Sequence, residues 1–491
     1  MIRQSRIERL RLLVNRPSPV SPVVGVLQRD SAKHPTGLRD LADRLRKHMI
    51  FGTAVEREEF RDEDITALRT AIAAAVTGRG GEPIARVRAV ALGREYLTLD
   101  THGRIVFLEI LSTDHGIDSS HVLREADQYR EAIKRGEPTP EEPLRRALVA
   151  PSTLLLQRFG TIEDGPRFLM TMREHALAAL AEHPAISPLE RQLREILTTW
   201  FTVTFLELRR VTWDSPASLL ERLAHYEAVH SIRGWDDLKH RLNADRLVYG
   251  FFHPSMPLEP LIFVEVALVR GLAPAIHPLI DETAPPTDPE YADTAIFYSI
   301  TNAQRGLDGI SLGGLLIKQV VDELRHQYSG LRTFSTLSPV PGFRAWLEDE
   351  GNLEVTPEEE LVLAAEWPDW SMEQIMTGSW VDDPTRAAAI HPALERTMAK
   401  YLLSTRSFSG RVNDRVEHFH LSNGARVERI NWLGDISERG VSQSLGMMVN
   451  YLYKLDEIEE NHDAYTGDGL IAANTSIINL ANAAAELTAT R

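Results

Sequence analysis

The stretch that most constrains this chain is a strand–glycine–helix block in its C-terminal half, from Ala295 to Leu324. Ala295-Ile296-Phe297-Tyr298-Ser299-Ile300 is a short run of β-formers. It is followed by Gln304-Arg305-Gly306-Leu307-Asp308-Gly309, by Ile310-Ser311-Leu312-Gly313-Gly314, and by an apolar-periodic helix. Glycines between a strand and a helix N-terminus let main-chain N–H groups approach an anion closely, and the helix dipole adds favourable potential. Such a turn can hold a pyrophosphate with few basic side chains. Tight packing of helix on strand is the other physical reason for glycines here. Neither Gly-x-Gly-x-x-Gly nor Gly-Lys-Ser/Thr occurs, so the block is neither a Rossmann fingerprint nor a Walker loop.

Around this block the chain has room for two to four domains, with 491 residues, 43% of them hydrophobic and 25% charged. A formal charge of −16 argues against a nucleic-acid partner. No apolar run approaches the roughly 20 residues that a membrane span needs. With no cysteine, thiol nucleophiles, disulfides and thiolate metal sites are excluded together. The N-terminus, Met1 to Arg11, is Arg-rich without a signal-peptide apolar core, and Glu8 and Asp30 weigh against a mitochondrial presequence. It reads as an amphipathic helix. A bacterial cytoplasmic protein is the expectation.

Apolar residues at three- and four-residue spacing predict helices over Leu38–Met49, Glu56–Val76, Ser119–Lys134, Pro140–Gly160 and Pro166–His183. Between Glu95 and Leu111 the pattern fits either a hairpin around His102-Gly103 or two helices with a Gly C-cap. Ser187 as N-cap and Pro188 at the first helical position start a helix that is expected to run to about Arg210. The fold class expected is α+β/α/β: an all-helical domain over 1–188, then a domain over 189–491 that alternates helices and strands around a central sheet. In the second domain, helices are predicted at Ser215–His230, Trp235–Leu242, Pro357–Trp367, Pro384–Tyr401 and Val441–Tyr453, with others ending at Trp346 and starting from Gly469. Strands are predicted at Arg246–Phe252, Leu261–Val269 and Leu331–Leu337, and the Pro-rich 282–289 segment is a loop.

Two segments carry candidate chemistry. In Phe334-Ser335-Thr336-Leu337-Ser338-Pro339-Val340-Pro341 two prolines end a strand, leaving Ser338 at the edge where open α/β sheets collect ligands. The bland alternative is that Ser338 caps the helix after Pro341. Pro339 has no N–H for an oxyanion hole and no Gly-x-Ser-x-Gly occurs, which speaks against a hydrolase elbow. The second segment is His418-Phe419-His420-Leu421-Ser422-Asn423-Gly424. If it is extended, both histidines share one face and a two-His metal site is conceivable, although no third ligand stands at a metal-site spacing; a catalytic imidazole and a structural one are the other readings. In Asn450-Tyr451-Leu452-Tyr453, one aromatic can be core while the other offers a hydroxyl to a pocket.

Taken in order, these blocks resemble the malonyl-CoA decarboxylase family. The likeness extends through His225-Tyr226-Glu227-Ala228-Val229-His230, the 252–261 and 263–268 stretches, Phe297–Ile300, the glycine loop, Ser338–Phe343 and Arg429-Ile430-Asn431-Trp432. The glycine loop itself resembles the coenzyme A loop of GNAT acyltransferases with shifted glycines. The resemblance implies a helical N-terminal domain that self-associates into dimers or tetramers, a GNAT-like catalytic domain, malonyl-CoA as substrate, acetyl-CoA as product, and no metal or organic cofactor. It implies Ser338 and His420 as catalytic residues. Substrate or CoA contacts fall on Ser299, Gly306, Asp308, Gly309, Ile310, Ser311, Leu312, Gly313, Gly314 and Tyr453. Animal members carry Glu where this chain has Ser311. Two outcomes follow: a second carboxylate stands near the histidine, with Asp308 the nearest in sequence, or His420 has a lowered pKa. A GNAT acyltransferase and a non-catalytic malonyl-CoA sensor are the rival readings.

Overall fold

A computed structural model describes residues 60–490 apart from 78–80, 163, 203–204, 311, 351–352 and 407–410. The helix expected at Leu38–Met49, the N-terminal amphipathic segment and Ser311 therefore lie outside the described residues. The chain forms two compact units. One comprises the described residues up to 202 together with 305–310, the other the described residues of 203–304 and 311–491.

The first unit is helical: α1 (Asp62–Val76), α2 (Glu82–Thr98), α3 (Thr101–Thr113), α4 (Ser119–Arg135), α5 (Glu141–Ala147), α6 (Ser152–Gly160), α7 (Gly165–Ala179) and α8 (Ser187–Trp200). Its core stacks Tyr96, Phe107, Phe159 and Phe168, with Phe159 and Phe168 edge to face at 5.0 Å. The Glu95–Leu111 ambiguity resolves as two helices, but the break is not a Gly C-cap. Asp100 caps α3, its Oδ1 accepting from Gly103 N at 2.7 Å, and Gly103 sits inside the helix against Phe60. The predicted 140–160 helix divides at Pro151, which lacks the N–H to continue α5. Ser187 is not the N-cap: a 3₁₀ turn at Pro184–Ile186 runs directly into α8, and Ser187 already has helical dihedrals. The α8 helix stops at Trp200 rather than Arg210.

The second unit holds an eight-stranded mixed sheet. Its elements are β1 (Glu207–Val211), α9 (Ala217–Tyr226), α10 (Trp235–Arg241), β2 (Arg246–His253), β3 (Met256–Val269), β4 (Thr294–Asn302), α11 (Gly313–Gln327), β5 (Thr333–Thr336), β6 (Ser338–Pro339), α12 (Phe343–Glu350), α13 (Pro357–Glu366), α14 (Met372–Thr377), α15 (Pro384–Ser404), α16 (Arg415–Leu421), β7 (Arg426–Asn431), α17 (Glu438–Ser444), β8 (Met448–Leu452), α18 (Ile458–Asp468) and α19 (Thr475–Thr490). The strand order is β1-β2-β3-β4-β5-β8-β6, with β7 also paired to β8. The central strands β2, β3 and β4 are buried on both faces, as their near-continuous apolar runs require.

Among the strand pairs of the described residues, the glycine block spans the parallel one. β4 and β5 pair in parallel, and α11 makes the crossover between them. Their pairing ends at Phe297↔Thr336. Beyond it β4 continues to Asn302, while the chain after Thr336 stays along β8, with Ser335 opposite Leu452 and Ser338 opposite Val449. Ser338 therefore stands where two neighbouring strands part.

Three other expectations are corrected. Residues 207–211 form an edge strand because they pair with β2, Glu207 opposite Phe252 through Val211 opposite Val248. The helix predicted over Val441–Tyr453 ends at Ser444, where Leu445 (φ 53°) and Gly446 (φ 83°) turn the chain left-handed and β8 begins. The His418–His420 stretch is helical, not extended, and lies in α16.

Candidate active site

The helix α16 is opened by Asp414, whose Oδ1 accepts from Val416 N at 2.8 Å and Glu417 N at 3.1 Å. Its other oxygen accepts from Gly342 N at 2.9 Å. One carboxylate thus fastens the helix that carries His420 to the Ser338–Phe343 turn. A second fastening lies at the N-terminus of α11. A Cβ on Gly313 would stand 2.5 Å from the Phe419 ring, and one on Gly314 would overlap the Asn423 side chain. These two glycines are explained by close packing on the His420 segment.

At residues two apart on a helix, His418 and His420 point to different sides. His418 Nδ1 meets Tyr465 OH at 2.7 Å, whereas His420 turns inward and is buried. Its Nε2 lies 3.0 Å from Ser338 Oγ, and its Nδ1 lies 2.9 Å from Tyr453 OH. The Tyr451 ring stacks on the imidazole, centroids 4.6 Å apart and planes 24° from parallel. Strand β8 and the residue that follows it deliver the two tyrosines: Tyr451 N donates to Thr336 Oγ1 at 3.2 Å and Tyr453 N to Phe334 O at 2.9 Å.

The directions of these bonds set the imidazole tautomer. Ser338 donates its single hydroxyl proton to Thr336 Oγ1 at 2.9 Å. The Nε2 of His420 must then carry the proton and donate to Ser338 Oγ, leaving Nδ1 to accept from the Tyr453 hydroxyl. A serine hydrolase needs the reverse, an imidazole that accepts from the serine. Burial pushes His420 down to about 3, so the ring is neutral at physiological pH. No carboxylate pairs with it among the described residues, which favours the second outcome anticipated for the missing loop Glu. Burial also raises the Tyr453 hydroxyl, which stays protonated.

The structure brings Ser338, His420 and Tyr453 into one hydrogen-bonded chain; Ser338 is not a helix cap. Ser299 belongs to a different network. Its hydroxyl is buried and committed to Glu227, at 2.9 and 2.8 Å from the two carboxylate oxygens. Of the loop residues, Gly306, Asp308, Gly309 and Ile310 belong to the helical unit, and Leu312, Gly313 and Gly314 open α11 in the sheet unit. Sequence reasoning missed Thr336, Asp414 and Glu417. Glu417 is fully buried one turn before His420, and neither of its carboxyl oxygens has a hydrogen-bond partner among the described residues. Burial and Asp414 raise it well above the usual carboxylate range. A charged residue written into a helix pattern gives no hint of such burial.

Comparison with known proteins decides the family. The malonyl-CoA decarboxylase C-terminal domain model matches residues 204–490, and the N-terminal domain model of the same family matches 115–201. The chain belongs to the malonyl-CoA decarboxylase family. It is a decarboxylase. Mitochondrial malonyl-CoA decarboxylase of Anser anser anser is 36% identical over 426 residues, covering 81% of this chain and 84% of that protein. The Mus musculus protein is 37% identical over 392 residues, 75% and 78% of the two chains. The crystal structure of malonyl-CoA decarboxylase from Rhodopseudomonas palustris superposes with a TM-score of 0.76 at 38% identity, over 86% of this chain and all of that one. That from Agrobacterium vitis gives 0.75 at 36%, over 84% and 99%. Among the described residues no helix is long and apolar enough to cross a membrane.

Proposed function

We propose that this decarboxylase converts malonyl-CoA to acetyl-CoA and CO2 through a thioester enolate, without a metal or organic cofactor. The malonyl carboxylate is β to a thioester carbonyl, so the substrate supplies its own electron sink. The C–CO2 bond breaks, its electron pair moves into the thioester as an enolate, and one proton is then added to carbon. The protein has to stabilise the oxyanion and manage that proton. The observation that carries the reading is the Tyr453–His420–Ser338 chain, a neutral imidazole held with its Nε2–H directed toward Ser338.

In this reading the Ser338 hydroxyl turns from Thr336, its partner in the free protein, and donates to the malonyl carboxylate when substrate binds. The Nε2–H of His420 then passes from Ser338 to the enolate, either donating to its oxygen or giving a proton to its carbon. Donors placed where charge develops contribute about 2.7–4 kcal/mol each. The segments Gly306–Ile310 and Leu312–Gly314, with Ser311 between them, hold the pantetheine and pyrophosphate. Ser299 acts through Glu227, since its hydroxyl is already bonded there.

Incubation with malonyl-CoA alone tests the proposal. Stoichiometric acetyl-CoA and CO2 are expected. A GNAT acyltransferase gives no acetyl-CoA without an acceptor, and a sensor binds malonyl-CoA in a calorimeter without releasing CO2; either result would overturn it. We also propose that the helical domain over 1–188 mediates self-association into dimers or tetramers, in a cytoplasmic setting. Sedimentation showing a monomer at micromolar concentration would refute the assembly.

A further inference from the structure

The glycine loop is gripped by a buried cation whose sequence position gives no sign of it. Arg173, in the middle of α7, has a side chain only 2% exposed. Its Nε and one terminal nitrogen pair with Glu190 Oε1 at 3.0 and 2.8 Å. The two terminal nitrogens also donate to loop carbonyls, one to Gly306 O at 2.6 Å and the other to Asp308 O at 2.7 Å. Burying a guanidinium is costly unless every donor is used, and here the bonds beyond Glu190 go to the main chain of this loop.

Those two bonds dictate where an N–H group faces. Residues Arg305–Leu307 form a single 3₁₀ turn. One further residue of that turn would bring the Gly309 N–H onto Gly306 O, the oxygen that Arg173 occupies. On either side the turn closes on itself, Asp308 N on Arg305 O at 3.0 Å and Ile310 N on Leu307 O at 3.0 Å. The Gly309 N–H between them donates to no described residue. Because the peptide is trans, a carbonyl of Asp308 aimed at Arg173 turns the Gly309 N–H the opposite way. Gly309 is exposed, with φ +74°, and a Cβ there would meet nothing within 4 Å. Gly306 is closed in, and a Cβ there would run into the Met170 main chain. An unengaged N–H at an open left-handed glycine is the element from which anion-binding turns are built.

We propose that Arg173, braced by Glu190, is a positioning residue that holds the Asp308–Gly309 peptide so that the Gly309 N–H faces the pyrophosphate of the coenzyme A thioester. This rests on the assignment of the loop to the substrate's nucleotide end. The test compares malonyl-CoA with malonyl-pantetheine, which lacks the pyrophosphate, as substrates of wild type, Arg173→Met and the double variant Arg173→Met/Glu190→Leu. The KM for malonyl-CoA is expected to rise about tenfold or more in the variants while kcat changes less than about threefold, the signature of lost uniform binding. The KM for malonyl-pantetheine should stay within about twofold. Arg173→Lys keeps the charge beside Glu190 but not the two-carbonyl fork. It should show the same selective loss, to a smaller degree, and it supplies the comparison if the methionine variants do not fold. An unchanged KM for malonyl-CoA, or an equal rise for both substrates, would overturn the proposal while leaving the decarboxylase reading in place. A wild type inert toward malonyl-CoA would overturn that reading and this one together.

Discussion

His420 Nε2 and Ser338 Oγ lie 3.0 Å apart although 82 residues separate them in the chain. Their meeting depends on the end of the β4–β5 pairing at Thr336, which releases Ser338 from that ladder although it stays buried, and on α16, which turns His420 inward. The bond runs from imidazole to serine, because Ser338 spends its own proton on Thr336.

Removing either end of this chain should disable turnover. Ser338→Ala and His420→Ala are each expected to lower kcat for malonyl-CoA by at least about 10²-fold, the scale of general acid–base and oxyanion effects. Tyr453→Phe leaves the imidazole in place but removes the donor to Nδ1, freeing the tautomer, and should cost roughly tenfold. Steady-state rates at saturating substrate check all three. Near-wild-type turnover in the Ser338 or His420 variant removes them from the mechanism.

Asp414 joins the two segments that hold the catalytic pair, as N-cap of α16 and acceptor for Gly342 N. Asp414→Ala should therefore lower stability by about 1–2 kcal/mol, a typical cap loss. It should also reduce kcat about tenfold or more, since small misplacements of reacting groups are expensive. Denaturant unfolding together with kinetics measures both. A stability loss with unaltered kcat would show that Asp414 has no part in aligning the site.

The neutral, buried His420 has a pH signature. Its pKa falls from 6.5 to about 3 on folding. Below about pH 6.5 the unfolded chain takes up a proton that the folded protein refuses until about pH 3. The stabilisation is therefore complete above pH 6.5 and is lost progressively as pH falls toward 3. At pH 5 this one group accounts for a loss on the order of 2 kcal/mol relative to pH 7. Unfolding of wild type and His420→Gln at the two pH values should differ by about that amount, and kcat should show no acid limb near pH 6.5. Identical pH dependence in the two proteins would contradict a neutral buried ring.

Glu417 acts in the opposite sense. Burial raises its carboxyl well above the usual range, so the folded protein keeps a proton that the unfolded chain releases. The penalty grows as pH rises through and above the ordinary carboxylate range. Glu417→Gln preserves the shape without the titration, and its melting temperature should exceed that of wild type by more at pH 8 than at pH 4. A constant difference between the two proteins would mean that Glu417 is not buried as an acid.

Local signals were enough to read the element that organises the sheet. The β-formers of β4, the glycines after them and the helical period of α11 specify a strand–turn–helix unit through turn chemistry and periodicity alone, whereas the prolines read as a strand end do not act as one, since Pro339 lies in β6 opposite Met448. The family's motifs placed His420 and Tyr453 in the sequence, but not their geometry. Short segments went astray where the deciding partner is remote. Residues 207–211 are a strand because β2 offers an edge, and 448–452 are a strand because β5, β6 and β7 all pair with them. His418–His420 is helical because Asp414 caps it while bonding Gly342, 72 residues away. The same holds for electrostatics. Nothing in the letters around Arg173 indicates two loop carbonyls 133 and 135 residues ahead, and nothing around His420 tells that it is neutral. Backbone period and turn preference are properties of neighbouring residues and survive in the sequence by themselves. Burial, tautomer and hydrogen-bond direction belong to groups that meet only after the chain has folded, and only the tertiary structure decides them.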